Sequence, residues 1–486
     1  MVFSSTLFLF LFLPIVLAGY GLLPRALGNS WLLLASLVFY TWGEPQLVWV
    51  MLASIGANYL FGLWIAHLRG RPAASVALAV AVVANLAMLG TFKYAGFAVT
   101  NLNAGLASLG LGAVPVPALV MPLGISFFTF HAMSYVIDVY RGDAKVQRNL
   151  ADLALYVTLF PQLVAGPILR YHEVAWQFVG RRVTRDGVAY GIQRFVLGLG
   201  KKVLIANTLA GPCDRIFALP PAELDAPVAW LGIACYTGQI YFDFSGYSDM
   251  AIGLGRLFGF QFPENFRWPY AARSVRDFWR RWHISLSTWF RDYLYIPLGG
   301  NQRGAVRNAA NLVTVFALCG LWHGASWTFL AWGLYHGAFL ALERTRWARW
   351  LDCAGRPWQH GYTLLVVMGG WVLFRAPDFS HALAYFGALL GLGGSAATGG
   401  SAWPVGQFVG LDVALALAAG SVGAVPTLDG TLGWLRRLPA HWPVPVAFAA
   451  RTMGATAGIV GVLAVLVACA VLLAAQTHNP FIYFRF

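Results

Sequence analysis

Residues 73–91 read AASVALAVAVVANLAMLGT, an apolar run that contains no charged side chain. A helix that rises about 1.5 Å per residue needs about 20 such residues to cross about 30 Å of hydrocarbon. Similar runs lie at 3–20, 47–67 and 453–475. Only helices and closed barrels satisfy the backbone inside a bilayer, and these unbroken runs lack the alternating pattern of barrel strands. The sequence therefore predicts an all-α polytopic integral membrane protein.

The overall composition indicates the same class. Of the 486 residues, 59% are hydrophobic and 11% are charged, whereas soluble domains carry about 25% charged residues. The net charge of +14 does not indicate nucleic acid, because the basic residues fall in short loops between apolar runs. The five cysteines are scattered without Cys-x-x-Cys pairs, which argues against a zinc site or a disulfide framework. We therefore expect no nucleic-acid partner, no metal and no bound cofactor.

Hydropathy predicts about 11–12 membrane-spanning helices within a single domain over residues 1–486. The predicted spans are 3–20, 31–43, 47–67, 73–91, 118–140, 187–209, 228–255, 308–322, 325–343, 360–375, 407–425 and 453–475. Residues 150–169 are also apolar but are interrupted by two prolines and a glycine, so we expect a re-entrant or interfacial segment. Residues 256–307 are expected to form a basic interfacial segment on the cytoplasmic side.

The distribution of basic residues predicts the orientation of the chain. With the N-terminus outside, 26 of the 33 lysine and arginine residues fall in inside loops. We therefore expect both termini on the outer side. Arg194, Lys201 and Lys202 fall within a predicted span, where they lie either on an amphipathic surface helix or beside a polar cavity.

The sequence CGLWHGASW at 319–327 places an imidazole among residues apolar enough for the interior of a bilayer. An ionisable group at that depth is costly, and its default interpretation is functional. A histidine can take a proton from an attacking hydroxyl group. We therefore interpret His323 as a catalytic base.

The densest polar cluster is 270–301, where arginines alternate with aromatic residues. At helical spacing, Arg276, Arg280 and His283 share one face of a single helix, and Arg281 lies on another. Such a helix would direct its guanidinium groups toward a phosphorylated cofactor or toward lipid phosphate. Both interpretations stay open, and His283 is the second candidate catalytic residue.

Other polar residues also lie in apolar surroundings. Asp243 and Asp249 fall in a predicted span, where a structural ion pair is favoured over a proton relay. His131 either lines a cavity or is a packed histidine bonded to a neighbouring carbonyl group. His336 lies about 20 Å from His323 along one continuous helix, too far for both to act on one atom.

Short motifs are spread over nearly the whole chain. They are YTWG (40–43), FKY (92–94), MPLGISFFTF (121–130), FPQLVAGPI (160–168), FDFSGYSDMA (242–251), RRWHISLSTWFRDYLYIPLGGN (280–301), LWHGASW (321–327) and PFIYFRF (480–486). In this order and spacing, they resemble the membrane-bound O-acyltransferase family. The resemblance is strongest to the bacterial branch that contains the alginate O-acetylation membrane subunit and the D-alanyl-lipoteichoic-acid transferase.

The resemblance implies a bundle of transmembrane, re-entrant and interfacial helices around a central tunnel. It places His323 at the family's catalytic histidine and His283 at its second polar position. It also implies that an acyl group passes from a cytoplasmic thioester, through the tunnel, to an acceptor outside. The candidate donor- or substrate-binding residues are Arg276, Arg280, Arg281, Trp322 and Asp249.

Three functions are compatible with these features. The first is transfer of acetyl from acetyl-CoA, as a substrate, across a bacterial inner membrane to an exopolysaccharide such as alginate, either directly or through periplasmic acetyltransferase partner proteins. The second is transfer of D-alanyl or another acyl group to teichoic acid or peptidoglycan. The third is transport, against which the hydropathy contains no inverted repeat. In each case the chain contacts membrane lipid.

Overall fold

The computed structural model describes residues 1–302, 304–392, 403–426 and 444–475. These residues form helices joined by turns and extended connections, and no β-strand occurs among them. The predicted all-α class is therefore confirmed. The motif at 480–486 and the C-terminus lie outside the described residues.

The α-helices are numbered in chain order. They are α1 Leu13–Leu22, α2 Gly28–Gly43, α3 Val48–His67, α4 Ala73–Ser108, α5 Ile125–Arg141, α6 Leu150–Thr158, α7 Phe160–Leu163, α8 Tyr171–Val174, α9 Gln177–Gly180, α10 Arg185–Gly200, α11 Asn207–Phe217, α12 Ala226–Leu257, α13 Val275–Trp279, α14 Ile284–Phe290, α15 Ala305–His323, α16 Trp327–Leu342, α17 Arg346–Cys353, α18 Gly355–Arg375, α19 Phe379–Leu389, α20 Leu411–Gly423 and α21 Val444–Ala475. Turns of π-helix lie at Phe8–Phe12, Lys201–Ala206 and Arg291–Tyr295.

Among the described residues, four helical segments are long and apolar enough to cross a membrane. They are Val48–His67, Ala73–Ser108, Ala305–His323 and Thr452–Ala475. Shorter apolar helices lie at Phe8–Leu22 and Leu411–Gly423. The chain is thus polytopic, while the larger number of spans expected from hydropathy stays a prediction. The remaining predicted spans form helices that are shorter, broken or more polar.

Two predicted spans have different bounds in the structure. Helix α4 continues to Ser108, well beyond the apolar run. The span predicted from residue 118 becomes helical only at Ile125, because Gly124 has a left-handed backbone with φ of 71°. A Cβ on Gly124 would lie 2.7 Å from the carbonyl oxygen of Leu163, so this close approach requires glycine.

The apolar stretch at 150–169 is broken in the structure, while its re-entrant or interfacial placement stays a prediction. Helix α6 ends at Thr158, the four-residue helix α7 follows, and turns and irregular backbone continue from there. Every residue from Leu153 to Leu169 is buried. Such protein-lined surroundings are what non-helical backbone requires at membrane depth.

Helices α10 and α12 approach each other closely where their glycines meet. A Cβ on Gly198 would lie 2.6 Å from the carbonyl oxygen of Gly246, and one on Gly191 would lie 2.8 Å from that of Gly253. Small residues allow such backbone contact between membrane helices.

The basic residues of the predicted span 187–209 pair with acidic residues of α12. Lys202 Nζ lies 2.6 Å from Asp243 Oδ1, and both side chains are about 2% exposed. Asp249 lies 2.7 Å from Arg194 and 2.7 Å from Lys201. The structural ion pairs favoured for the two aspartates are therefore confirmed.

Candidate active site

His323 is the last residue of α15 and lies where the chain turns back into α16. Gly324 adopts an extended conformation that ends α15, and the Ser326 side chain caps the first turn of α16. Facing glycines bring the two antiparallel helices into close contact. His323 and His336 therefore lie on two different helices, and the prediction of one continuous helix through both is wrong.

His283 lies in a turn between α13 and α14. Its backbone is left-handed, with φ of 43°, which is uncommon for a residue other than glycine. Asn265 holds this turn, because its carbonyl oxygen accepts a hydrogen bond from the Ile284 amide at 2.9 Å and its Oδ1 accepts one from Ser285 Oγ at 2.9 Å. The turn directs the His283 side chain into the protein interior, where it is fully buried.

The two histidines are brought together by this arrangement. The centres of the His283 and His323 rings are 6.5 Å apart. Within the part of the chain that the structure describes, neither ring nitrogen of His283 has a hydrogen-bond partner. Burial lowers the pKa of His283 to about 3, so its imidazole is neutral near pH 7.

Aromatic rings surround the histidine pair. Ring centres of Trp332 and Phe374 lie 5.0 Å and 5.3 Å from that of His323, and Trp322 lies 6.1 Å from His283. This setting excludes bulk water from the two imidazoles.

A cavity of about 130 Å³, here called the His323 cavity, lies beside His323. It is lined by Glu44, Lys93, Met121, Pro122, Leu123, Gly124, Ile125, Ser126, Phe127, Val164, Trp322 and His323. Most of its wall is the motif at 121–127, which bends at the left-handed Gly124. His323, which is only 3% exposed, thus lines a cavity of a size that suits a small group.

A second cavity of about 260 Å³, here called the arginine cavity, lies beside α13, α15 and the end of α16. It is lined by Arg276, Trp279, Arg280, Leu286, Ser287, Phe290, Arg291, Tyr295, Leu312, Val315, Phe316, Cys319, Leu340 and Arg344. Cys319 is one helical turn from His323 on α15, or about 6 Å. The ring centre of Trp279 lies 5.7 Å from that of Trp332, which contacts His323.

The predicted arginines have different positions in the structure. Arg276 and Arg280 both line the arginine cavity. Arg281 is paired with Asp277 at 2.8 Å and borders a separate cavity. The single helix predicted to carry these residues and His283 is wrong, since α13 ends at Trp279 and the left-handed turn follows.

The other predicted residues are placed as follows. Trp322 lines the His323 cavity, whereas Asp249 belongs to the ion pairs between α10 and α12 and lines neither cavity. His131 is packed, and its Nε2 accepts a hydrogen bond from the Leu169 amide at 3.3 Å. His336 is buried against Trp279, with ring centres 5.2 Å apart. Among the described residues, no group of three or more His, Cys, Asp or Glu could hold a metal ion.

Sequence reasoning did not single out several residues that line the two cavities. Lys93 and Glu44 line the His323 cavity, and Arg344 and Cys319 line the arginine cavity. Lys93 lies in the FKY motif at 92–94, which could have indicated that it belongs to the site.

Comparison with known proteins identifies the class. Residues 123–352 match the model of MBOAT, the membrane-bound O-acyltransferase family. The probable alginate O-acetylase AlgI of Azotobacter vinelandii is 44% identical over 513 residues, covering 100% of both chains. The peptidoglycan O-acetyltransferase of Helicobacter pylori is 36% identical, covering 81% of this chain and 80% of its own. The teichoic acid D-alanyltransferase of Bacillus subtilis is 31% identical, covering 46% of this chain and 60% of its own.

The chain therefore belongs to the membrane-bound O-acyltransferase family. It is a polytopic membrane acyltransferase, and the resemblance found in its motifs is confirmed. The family match contains both His283 and His323. The transport interpretation finds no support in these relatives.

Proposed function

We propose that this chain is an O-acetyltransferase subunit that moves acetyl from cytoplasmic acetyl-CoA to an extracytoplasmic exopolysaccharide such as alginate. The main support is the course of α15. This helix borders the arginine cavity from Leu312 to Cys319 and the His323 cavity at Trp322 and His323. A donor on one side and an acceptor on the other can thus meet beside one imidazole.

The arginine cavity is the proposed donor site. Four guanidinium groups surround it, and guanidinium matches the phosphate oxygens of CoA in charge and geometry. They belong to Arg276, Arg280, Arg291 and Arg344. The apolar lining of the cavity suits the arm that carries the thioester, and two of its residues, Trp279 and Cys319, lie close to His323.

His323 is the proposed general base. It removes the proton from an acceptor hydroxyl group, and the oxygen forms a bond with the acetyl carbonyl carbon. The carbon–sulfur bond breaks, and the leaving CoA thiolate takes up the proton that His323 removed. The neutral His283, whose ring centre lies 6.5 Å from that of His323, assists it.

The choice of acetyl and polysaccharide rests on the relatives. The probable alginate O-acetylase of Azotobacter vinelandii aligns with the whole chain, whereas the teichoic acid D-alanyltransferase of Bacillus subtilis aligns with 46% of it. We place the protein in the bacterial inner membrane with its N-terminus on the periplasmic side. Transfer to the polymer is direct or uses a periplasmic acetyltransferase partner protein.

The test is the ester content of the exopolysaccharide in a deletion strain complemented with His323→Gln or His323→Ala. We expect loss of O-acetyl groups, measured by mass analysis or NMR of the polymer, with unchanged amounts of protein in the membrane. The matched control is His67→Ala, because His67 is exposed at the end of α3. Normal acetylation in the His323 variants would contradict the assigned role.

A further inference from the structure

Lys93 lies on α4, and its ammonium group reaches the C-terminal end of α15. Its Nζ donates hydrogen bonds to the carbonyl oxygens of Trp322 at 2.5 Å and of His323 at 3.3 Å. It also donates to Ser126 Oγ at 3.1 Å. One side chain therefore connects α4, the end of α15 and the start of α5.

These contacts satisfy a requirement of the helix end. The last carbonyl groups of an α-helix have no partner within the helix, and a cation is favourable there. The next side chain along α4 contributes as well, because Tyr94 OH donates to the carbonyl oxygen of Leu321 at 2.7 Å. Helix α4 thus caps the three carbonyl groups that end with His323.

The same contacts form part of the wall of the His323 cavity. Lys93, Ser126 and His323 all line that cavity. None of the ion pairs between described residues includes Lys93. Its polar contacts are made to the helix end and to a hydroxyl group, and the ammonium lies 5.8 Å from the centre of the Trp322 ring.

We propose that Lys93 is a positioning residue that holds His323 in its catalytic orientation. The inference rests on the proposed function, in which His323 is the base. Without the ammonium group, the carbonyl groups of Trp322 and His323 lose this donor and its link to Ser126, and the imidazole loses its fixed direction. A displacement of about 1 Å at a reacting group can lower a rate by about 100-fold.

The test compares Lys93→Met with Lys93→Arg in membranes of the complemented deletion strain. Acetyl transfer from radiolabelled acetyl-CoA to endogenous polymer is measured at several donor concentrations and normalised to the amount of protein. We expect Lys93→Met to lower the maximal rate by about 10- to 100-fold and to leave the KM for acetyl-CoA unchanged, because Lys93 does not line the arginine cavity. Lys93→Arg restores part of the rate, since guanidinium also donates to carbonyl groups.

Matched variants separate this inference from the proposed function. Lys145→Met makes the same change at an exposed lysine, and its rate stays at the wild-type value. A wild-type rate in Lys93→Met overturns the positioning role, as does a raised KM at an unchanged maximal rate. If Lys93→Met does not accumulate, Lys93→Gln is compared with Lys93→Arg by the same criteria. Normal activity in His323→Gln would instead refute the proposed function.

Discussion

At the scale of single residues, two neighbouring arginines have different surroundings. Arg280 lines the arginine cavity, whereas Arg281 is paired with Asp277 and borders another cavity. We expect Arg280→Gln to raise the KM for acetyl-CoA by about tenfold, which corresponds to the loss of one hydrogen bond to a charged group. The maximal rate should stay close to wild type, because Arg280 does not contact His323.

Arg281→Gln is the matched control for this prediction. It removes the same charge one residue further along the chain, so a general effect of net charge would change both variants equally. Initial rates at varied acetyl-CoA concentration distinguish the two. An equal rise of the KM in both variants would argue against the arginine cavity as the donor site.

Among individual residues, the candidate site was predicted unevenly from the sequence. The motifs located His323 and His283. An imidazole among apolar residues indicates a functional site, because burying an ionisable group is costly. The contact of Lys93 with the end of α15 could not be predicted, because it joins residues 229 and 230 positions apart. Asp249 was a candidate binding residue because it lies in a motif, but the structure places it in ion pairs. A motif alone does not distinguish these two roles.

At the scale of helices, apolar runs located the elements better than their ends. The run at 73–91 predicted α4 but not its continuation to Ser108, which carries Lys93 toward α15. Helical periodicity wrongly predicted one helix through Arg276 and His283. The helix breaks because Asn265, which lies outside the segment, accepts hydrogen bonds from Ile284 and Ser285. Prolines and a glycine correctly indicated the break within 150–169.

The contact between α10 and α12 leads to a prediction about stability. A Cβ on Gly198 would lie 2.6 Å from the carbonyl oxygen of Gly246. We expect Gly198→Ala to separate the two helices and to lower the free energy of unfolding by about 1–3 kcal/mol, as overpacking does elsewhere. The measurement is the midpoint of thermal unfolding in detergent.

Gly96→Ala is the control for this comparison. Gly96 lies within α4, and a Cβ there would have no atom within 4 Å. Alanine is more favourable than glycine inside a helix by about 1 kcal/mol, so the midpoint should be equal to or above that of wild type. A Gly198→Ala midpoint as high as that of Gly96→Ala would contradict the close approach of the two helices.

At the scale of the whole molecule, the proposed reaction requires the two cavities to open toward opposite sides of the membrane. The arginine cavity lies beside the end of α16, close to α17, and the His323 cavity lies beside the end of α2 and the start of α5. The distribution of basic residues predicts that the end of α16 and α17 are cytoplasmic. It predicts that the end of α2 and the start of α5 are periplasmic. The orientation of the chain therefore determines which substrate reaches which cavity.

The native cysteines allow this orientation to be tested. Cys353, at the end of α17, is exposed, and the other four cysteines are buried. We expect a membrane-impermeant maleimide to label the protein in inside-out vesicles but not in intact spheroplasts, and to label neither preparation of Cys353→Ser. Leu111→Cys in the Cys353→Ser background is the opposite control, because Leu111 is 56% exposed in the connection before α5, and it should react in spheroplasts. Labelling of Cys353 in intact spheroplasts would place the arginine cavity outside, where cytoplasmic acetyl-CoA could not enter it, and would contradict the proposed direction of transfer.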